Sequence, residues 1–148
     1  MKIKGEPIEL LVWEAGGHFG RMHTVPPSDD FPPYFLGAHA FLLCFSIENS
    51  DSLDMITYKW DPEVKSSGGG AVPRLLVSCK KDLREDEDTI ELLESFGRVP
   101  VSVERGEEAA RAIVASYIEC SSKTGEDVRE VFLRATESME EGKFAQIK

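Results

Sequence analysis

Lys80 and Asp82 are the residues of this sequence whose types and spacing are best suited to chemistry. They follow the apolar run Arg74-Leu75-Leu76-Val77-Ser78 and belong to the stretch Cys79-Lys80-Lys81-Asp82-Leu83. A carboxylate can accept two parallel N–H bonds from the edge of a guanine base, and a lysine stem can lie over the flat face of such a base. An ordinary charged turn on the surface could contain the same residues. A Lys-x-Asp pattern alone does not distinguish the two, because a short motif supports a function only when the surrounding elements agree with it. The neighbouring elements therefore have to decide.

The order of apolar runs predicts an α/β fold with a mainly parallel sheet and flanking helices. Strands are predicted at residues 8–13, 38–46, 74–78 and 117–120. Helices are predicted after the capping stretch 48–52, over 89–96 and 107–115, and from residue 128 onwards. In such sheets ligands bind at the carboxyl ends of the strands, and there Asp82 and the turn at 121–125 both fall.

Several punctuating residues refine this pattern. We expect a tight hairpin to lead from residues 1–3 into the strand at 8–13, and Pro62 to kink or end its helix. Residues 66–70 read as a flexible surface connection, and the proline-rich stretch 26–33 as an exposed, mobile loop. Gly16 follows the first predicted strand, where a glycine amide can reach a ligand oxygen, although a simple turn would also explain it.

Composition restricts the class of protein. The 148 residues suit one domain, and a hydrophobic fraction of 41% with 30% charged residues is that of a globular protein. A formal charge of −10 argues against nucleic acid and anionic membrane surfaces as partners. The sequence has neither an apolar run of about 20 residues nor a signal peptide, so a cytoplasmic location is expected.

The sulfur and imidazole residues predict no metal site. Cys44, Cys79 and Cys120 are spaced neither as zinc ligands nor as a redox Cys-x-x-Cys, and each adjoins an apolar run. We therefore expect all three to be small buried hydrophobic residues. The three histidines show no helical pairing with carboxylates.

Taken together, these segments resemble a Rho-type small GTPase of the Ras superfamily. The resemblance is carried by four ordered motifs and by an acidic insert near 86–101: LVWEAGG at 11–17, FLLCFSIENSDSLDMITYKWDPEVK at 41–65, LLVSCKKDLRED at 75–86 and YIECSSKTG at 117–125. It implies a single G-domain of the P-loop NTPase class over residues 1–148. It also implies GTP or GDP as ligand, with Rho regulators or effectors as partners.

The resemblance assigns roles at the base of the nucleotide. Asp82 would bond the N1 and N2 edge of guanine, and Lys80 would cover one face of the base. Gly16 would lie at the switch that follows the first strand. The backbone of three further residues would meet guanine O6: Ser121, Ser122 and Lys123.

The sequence departs from the family at the phosphate end. Cys79 replaces an Asn or Thr, Glu14 stands in the place of the switch Asp, and Gly17 stands where a Gln orients the attacking water. Ser122 replaces an Ala. No stretch of the 148 residues matches G-x-x-x-x-G-K-[ST], so the sequence looks like a G-domain without its first strand, phosphate loop and first helix. We therefore expect weak or absent hydrolysis, no catalytic residue, and no evident site for Mg²⁺.

Several alternatives stay open from the sequence. In the family the first strand lies between the strands predicted here at 8–13 and 41–46, so these could pair directly, another chain could fill the gap, or the sequence could be a shortened product. The function could be a degraded guanine-nucleotide switch, a nucleotide-independent interaction module, or none for a truncated product. The sequence ends in Gln146-Ile147-Lys148, without the Cys-a-a-X motif of a prenyl anchor, and we expect no lipid anchor in this chain.

Overall fold

The computed structural model describes residues 2–3, 6–12, 14, 37–66 and 69–145, and the chain divides into two compact units, residues 1–33 and 34–148. In the first unit, β1 (Lys2–Ile3) and β2 (Glu6–Pro7) form a two-stranded antiparallel sheet.

The strand predicted at 8–13 is wrong for residues 8–12, which belong to no strand. Leu11 and Val12 are 78% and 66% exposed. An isolated apolar segment is not held as a strand unless a neighbouring ladder satisfies its backbone groups, and no described strand is in register with this one. Trp13 and the proline-rich stretch lie outside the described residues.

The second unit contains a parallel sheet, which confirms the predicted fold class. Its strands are β3 (Phe41–Ser46), β4 (Arg74–Cys79) and β5 (Ser116–Glu119), in the spatial order β3-β4-β5. Both pairings are parallel, so the carboxyl ends of all three strands lie along one edge of the sheet.

The helices follow the strands in sequence. They are α1 (Ser50–Met55), a π-helical segment (Ile56–Trp60), α2 (Asp61–Ser66), α3 (Glu87–Ser95), α4 (Val103–Ala112) and α5 (Val128–Ala145), with 3₁₀ turns at Gly69–Ala71 and Lys81–Arg84. Three of them begin at N-caps whose side-chain oxygens accept a backbone N–H: Asn49, Asp86 and Ser102. No helix in the described part of the chain is both long enough and apolar enough to cross a bilayer.

Of the two outcomes predicted for Pro62, a kink or an end of the helix, the structure does not show the end. The chain stays helical through Ser66 because the preceding turn widens to the π form, in which Asp61 N–H donates to the carbonyl of Ile56. A proline inside a regular α-helix removes one hydrogen bond and clashes with the carbonyl four residues earlier. The wider turn just before Pro62 is a known way of accommodating such an interruption.

The core lies on both faces of the sheet. One cluster combines Phe41, Leu43 and Phe45 of β3 with residues of α1, α2 and α4. The other packs apolar residues of β4 and β5 against Val131 and Ala135 of α5. These faces place the three strand ends, and the loops that follow them, on a rigid base.

Three apolar side chains of the predicted elements are exposed in the structure, and one of them, Cys44, was predicted to be buried. Val114 is 80% exposed because α4 ends at Ala112 and residue 114 no longer follows the helical period, and Phe96 is 72% exposed because it lies just past the end of α3. Cys44 is exposed, since it points away from the face formed by Phe41, Leu43 and Phe45, and α5 covers that opposite face at β4 and β5.

Gly69, predicted to belong to a flexible connection, is buried in the 3₁₀ turn that leads to β4. A Cβ atom added there would lie 2.8 Å from the side chains of Phe41 and Val64. The glycine is therefore needed for close packing under the first strand of the sheet. Ser67 and Gly68 of the same connection lie outside the described residues.

Candidate functional site

Lys80 turns the chain at the end of β4. It adopts left-handed backbone angles, φ 60° and ψ 41°, and its carbonyl accepts the N–H of Leu83 at 2.9 Å. Left-handed conformations are uncommon for residues with a Cβ and often occur where function requires an exact turn. The turn starts the 3₁₀ segment 81–84 and so folds Asp82 back towards the edge of the sheet.

The ammonium group of Lys80 is held from the neighbouring loop. It forms an ion pair with Glu48, which lies between β3 and α1 and also accepts a 2.5 Å hydrogen bond from Ser46 Oγ. Partial burial opposes ionisation of Glu48, but the bonds from Lys80 and Ser46 outweigh it and keep the pKa of this carboxyl below its usual value. The charged end of Lys80 is thus fixed at the edge of the sheet.

Asp82 meets the turn that follows β5. Its Oδ1 accepts a 2.5 Å hydrogen bond from Ser121 Oγ, and its Oδ2 lies 3.9 Å from Lys123 Nζ. Ser121 is fully buried, and its Oγ also accepts the backbone N–H of Thr124 at 3.2 Å. The side chain of Asp82 is 15% exposed. Because each carboxylate oxygen has about two acceptor positions, the bond from Ser121 leaves most of them available.

Backbone and charge contacts around Lys81 lock the two loops together. Lys81 N–H donates to the carbonyl of Cys120 at 3.0 Å, and Cys120 N–H donates to the carbonyl of Ser78 at 2.8 Å. The Lys81 ammonium lies 2.6 Å from Glu126 Oε1 and 3.1 Å from Asp127 Oδ2, and these bonds raise the pKa of the lysine. The loop after β4 is thereby held against the loop after β5.

Arg84 supplies a second connection. Its guanidinium makes two bonds to Glu119, of 2.5 and 2.6 Å, and a 3.1 Å bond to the carbonyl of Val101. Tyr117 Oη donates to the same carboxylate at 2.6 Å. Burial works against the charge on Glu119, but Arg84 and Tyr117 prevail and lower the pKa of the carboxyl. Bidentate pairs of this kind fix geometry as well as adding energy.

Sequence reasoning missed the residues of both connections: Lys81, Arg84, Glu119, Glu126 and Asp127. The ion-paired side chains are 35 to 46 residues apart in sequence, so no local sequence pattern predicts these contacts. The only available signal was that both partners adjoin predicted strand ends, which a parallel sheet brings to one edge.

Comparison with known proteins decides the family. The sequence model described as the Ras family matches residues 1–141. The chain belongs to the Ras family of small GTPases. Similar proteins place it within the Rho group: it is 40% identical over 139 residues to the GTP-binding protein RHO1 of Candida albicans and 38% identical over 139 residues to rho1 of Schizosaccharomyces pombe. Both alignments cover 92% of this chain.

The Rho-family chain spans somewhat less than two thirds of these relatives, 66% and 64% of their lengths. It is also 38% identical over 151 residues to the GTP-binding protein RHO1 of Eremothecium gossypii, where the alignment covers the whole of this chain and 69% of the relative. The suspected Rho-family resemblance is thereby confirmed.

In this Rho-family chain, some of the predicted site residues lie in contact with one another and others do not. Asp82, Ser121 and Lys123 converge, Lys80 lies beside them with its ammonium on Glu48, and Ser122 is exposed in the same turn. Gly16 lies outside the described residues, so its role stays a prediction. Among the residues that are described, no three His, Cys, Asp or Glu side chains are grouped so as to hold a metal ion.

Proposed function

We propose that this Rho-family chain recognises the guanine base of GTP or GDP through Asp82 and acts in small-GTPase signal transduction, with weak or absent hydrolysis. The observation that carries the proposal is the 2.5 Å bond from the buried Ser121 to Asp82. It fixes a carboxylate at the carboxyl edge of a parallel sheet while leaving acceptor positions for two N–H donors. A solvated surface turn has no need of such a bond.

The neighbouring groups suit the other parts of the base. With its ammonium on Glu48, Lys80 has an aliphatic stem available to cover one face of a flat ring. The backbone of 121–123 is held by the contacts of Lys81 and Ser121. Because the Ser121 N–H already donates to the carbonyl of Glu126 at 3.0 Å, the amides of Ser122 and Lys123 are the donors we propose for O6. Gly16 remains part of this proposal as a further amide near the ligand.

The phosphate end supports the proposal of weak turnover. Phosphoryl transfer relies on positioned donors and cations that stabilise the developing charge, and on a residue that orients water. In these 148 residues the phosphate-loop motif is not found, and Gly17 has no side chain to orient water. We therefore propose that base binding by this chain does not require Mg²⁺.

A nucleotide-independent interaction module is the second candidate. On and just beyond α3, Leu92, Phe96 and Val99 are 60%, 72% and 69% exposed in an acidic surrounding. Such large exposed apolar side chains favour contact with a protein partner, and Rho regulators or effectors are the class we propose. Capture of those proteins by the chain with Asp82→Ala as well as by the unsubstituted chain would favour this candidate.

We further propose that residues 1–148 act as one Rho-like domain in the cytoplasm. The charge of −10 supports the proposal that nucleic acid is not a partner.

Nuclear magnetic resonance tests the proposal directly. Adding GDP to the ¹⁵N-labelled chain should shift the amide signals of 80–82 and 121–123 saturably, with or without EDTA, whereas ADP at the same concentration should not. Asp82→Ala should abolish the shifts, and Asp88→Ala, which removes an exposed carboxylate on α3, should leave them unchanged. Equal responses to GDP and ADP, or shifts that survive Asp82→Ala, would show that Asp82 does not read the base.

A further inference from the structure

The three cysteines of the chain, which the function above does not use, come together on one face of the sheet. Cys79 ends β4 directly opposite Ser46 of β3. Cys120 follows the pair Ser78 and Glu119, so it lies opposite Cys79 on the other side. Cys44 precedes Ser46 by two residues and therefore points to the same face.

The register brings Cys79 and Cys120 to bridging distance. Neighbouring strands lie about 4.8 Å apart, and disulfides join residues whose Cα atoms are roughly 4.4–6.8 Å apart. Two backbone bonds hold this register, from Cys120 N–H to Ser78 at 2.8 Å and from Lys81 N–H to Cys120 at 3.0 Å. Both thiols are half-buried and free.

Cys44 is less well placed for the same reaction. It is offset by two residues from the position opposite Cys79, a diagonal relation in which Cα atoms are about 7–8 Å apart. That separation exceeds the range that a disulfide spans without backbone movement. The Cys79 thiol contacts the thiols of both Cys44 and Cys120, so all three are in reach of one another even though only one pair is in register.

We propose that Cys79 and Cys120 form an intramolecular disulfide when the chain meets a peroxide, and that this bridge links the two loops of the base site. One thiolate attacks a peroxide oxygen to give a sulfenic acid and releases hydroxide, which takes up a proton. The second thiolate then attacks the sulfenic sulfur and expels a second hydroxide, which is likewise protonated. In total, two thiols and one hydrogen peroxide give one disulfide and two waters.

The surroundings set the order and the pH dependence of these steps. Burial, with the nearby Cys79 and Asp127, raises the pKa of Cys120 to about 11 against the opposing charge of Lys81. Contact with Cys44, together with burial, raises the pKa of Cys79 further. Cys120 is therefore the thiol that reacts first, and Cys79 resolves it. Since only thiolates react, the rate should rise about tenfold from pH 7 to pH 8.

The bridge has a structural consequence at the site. Cys79 immediately precedes Lys80, and Cys120 immediately precedes Ser121. A covalent link there joins the two loops one residue before the groups proposed to read the base. The effect on ligand binding rests on the proposed function, whereas formation of the bridge does not.

Peptide mass spectrometry after treatment with hydrogen peroxide tests this inference on the full chain. Remaining thiols are blocked with N-ethylmaleimide and the unreduced digest is analysed. We expect one peptide pair linked through Cys79 and Cys120, a fall from three reduced thiols to one, and recovery of three after dithiothreitol. Cys44→Ser should still lose both of its thiols, and Cys120→Ser should keep both of its own.

Three results would overturn the inference: a link that involves Cys44, a dimer joined between chains, or three thiols that stay reduced or become sulfinic acids. The linked peptide is read from the unsubstituted chain, so a variant that fails to fold leaves the test decisive. GDP titration of the reduced chain separates failure of the bridge from failure of the proposed function.

Discussion

Replacing Asp82 by Asn should change which base the chain binds. A carboxylate accepts both the N1–H and the N2–H of guanine, whereas an amide accepts at its oxygen and donates at its nitrogen. Xanthine has N1–H and a carbonyl at position 2, the pattern that an asparagine amide complements. The amide oxygen of the new side chain can still accept the bond from Ser121 Oγ, so Asp82→Asn should preserve the local fold.

The magnitude follows from the contacts at the site. For GDP, the variant loses one charge-assisted hydrogen bond, about 1.5–3 kcal/mol, and places one donor against another, about 1–3 kcal/mol. The total of about 2.5–6 kcal/mol is a factor of roughly sixty or more in the dissociation constant. For XDP, the same substitution creates two complementary bonds, so its affinity should approach that of the unsubstituted chain for GDP.

Parallel NMR titrations of both chains with GDP and XDP measure this exchange, and Asp82→Ala serves as the control that should bind neither. If Asp82→Asn lost GDP without gaining XDP, Asp82 would act only through its bond to Ser121, and the reasoning about base recognition would be refuted.

Three further predictions concern the connections that support the site. Arg84→Met should lower the free energy of unfolding in urea by about 2 kcal/mol, between the values for exposed and buried ion pairs, because Glu119 is left partly buried without its partner. The control Arg134→Met, at an exposed position, should lower it by less than about 1 kcal/mol. Equal losses in the two variants would contradict the role given to Arg84. Because folding lowers the pKa of Glu119, its stabilising contribution is present above the unfolded pKa of about 4.3 and is lost as the pH falls through the lower folded pKa. The difference in unfolding free energy between wild type and Arg84→Met should therefore be constant from pH 7 to about pH 5 and shrink below about pH 4. A difference that did not change with pH would argue against the ion pair. Gly106→Ala should destabilise the chain by roughly 1 kcal/mol or more despite the better helix propensity of Ala, because the added Cβ would overlap the ring and hydroxyl of Tyr117. The control Glu108→Ala on the same helix should change the stability by less than about 0.5 kcal/mol. A stabilised Gly106→Ala would show that Tyr117 moves freely.

The sheet of the second unit could be predicted from sequence because each strand is a continuous apolar run with capping residues after it. Phe41–Ser46 and Arg74–Cys79 differ from their predicted ranges by at most three residues. Residues 8–12 are equally apolar, yet they form no strand. An apolar run forms a strand only if a partner strand is present, and the residues of the run do not specify that partner.

The convergence of Asp82 and Ser121 followed from topology, since parallel strands deliver their carboxyl ends to one edge. The residues that hold the two loops together could not be predicted in this way, because Arg84 and Glu119 are 35 residues apart and look like ordinary surface charges in the sequence. The helical continuation past Pro62 was not predicted, for a related reason. The wider π turn that accommodates it depends on packing, which local propensity does not encode.

We have proposed that this chain reads the base of a guanine nucleotide and holds its phosphates weakly or not at all. The most direct test is a comparison of dissociation constants for guanosine, GDP and GTP on the same 148-residue chain. We expect dissociation constants that agree within about threefold, a difference of less than about 1 kcal/mol, because the three ligands share one base. Binding of GDP or GTP about a hundred times tighter than guanosine would contradict it, since the phosphates would then contribute most of the affinity.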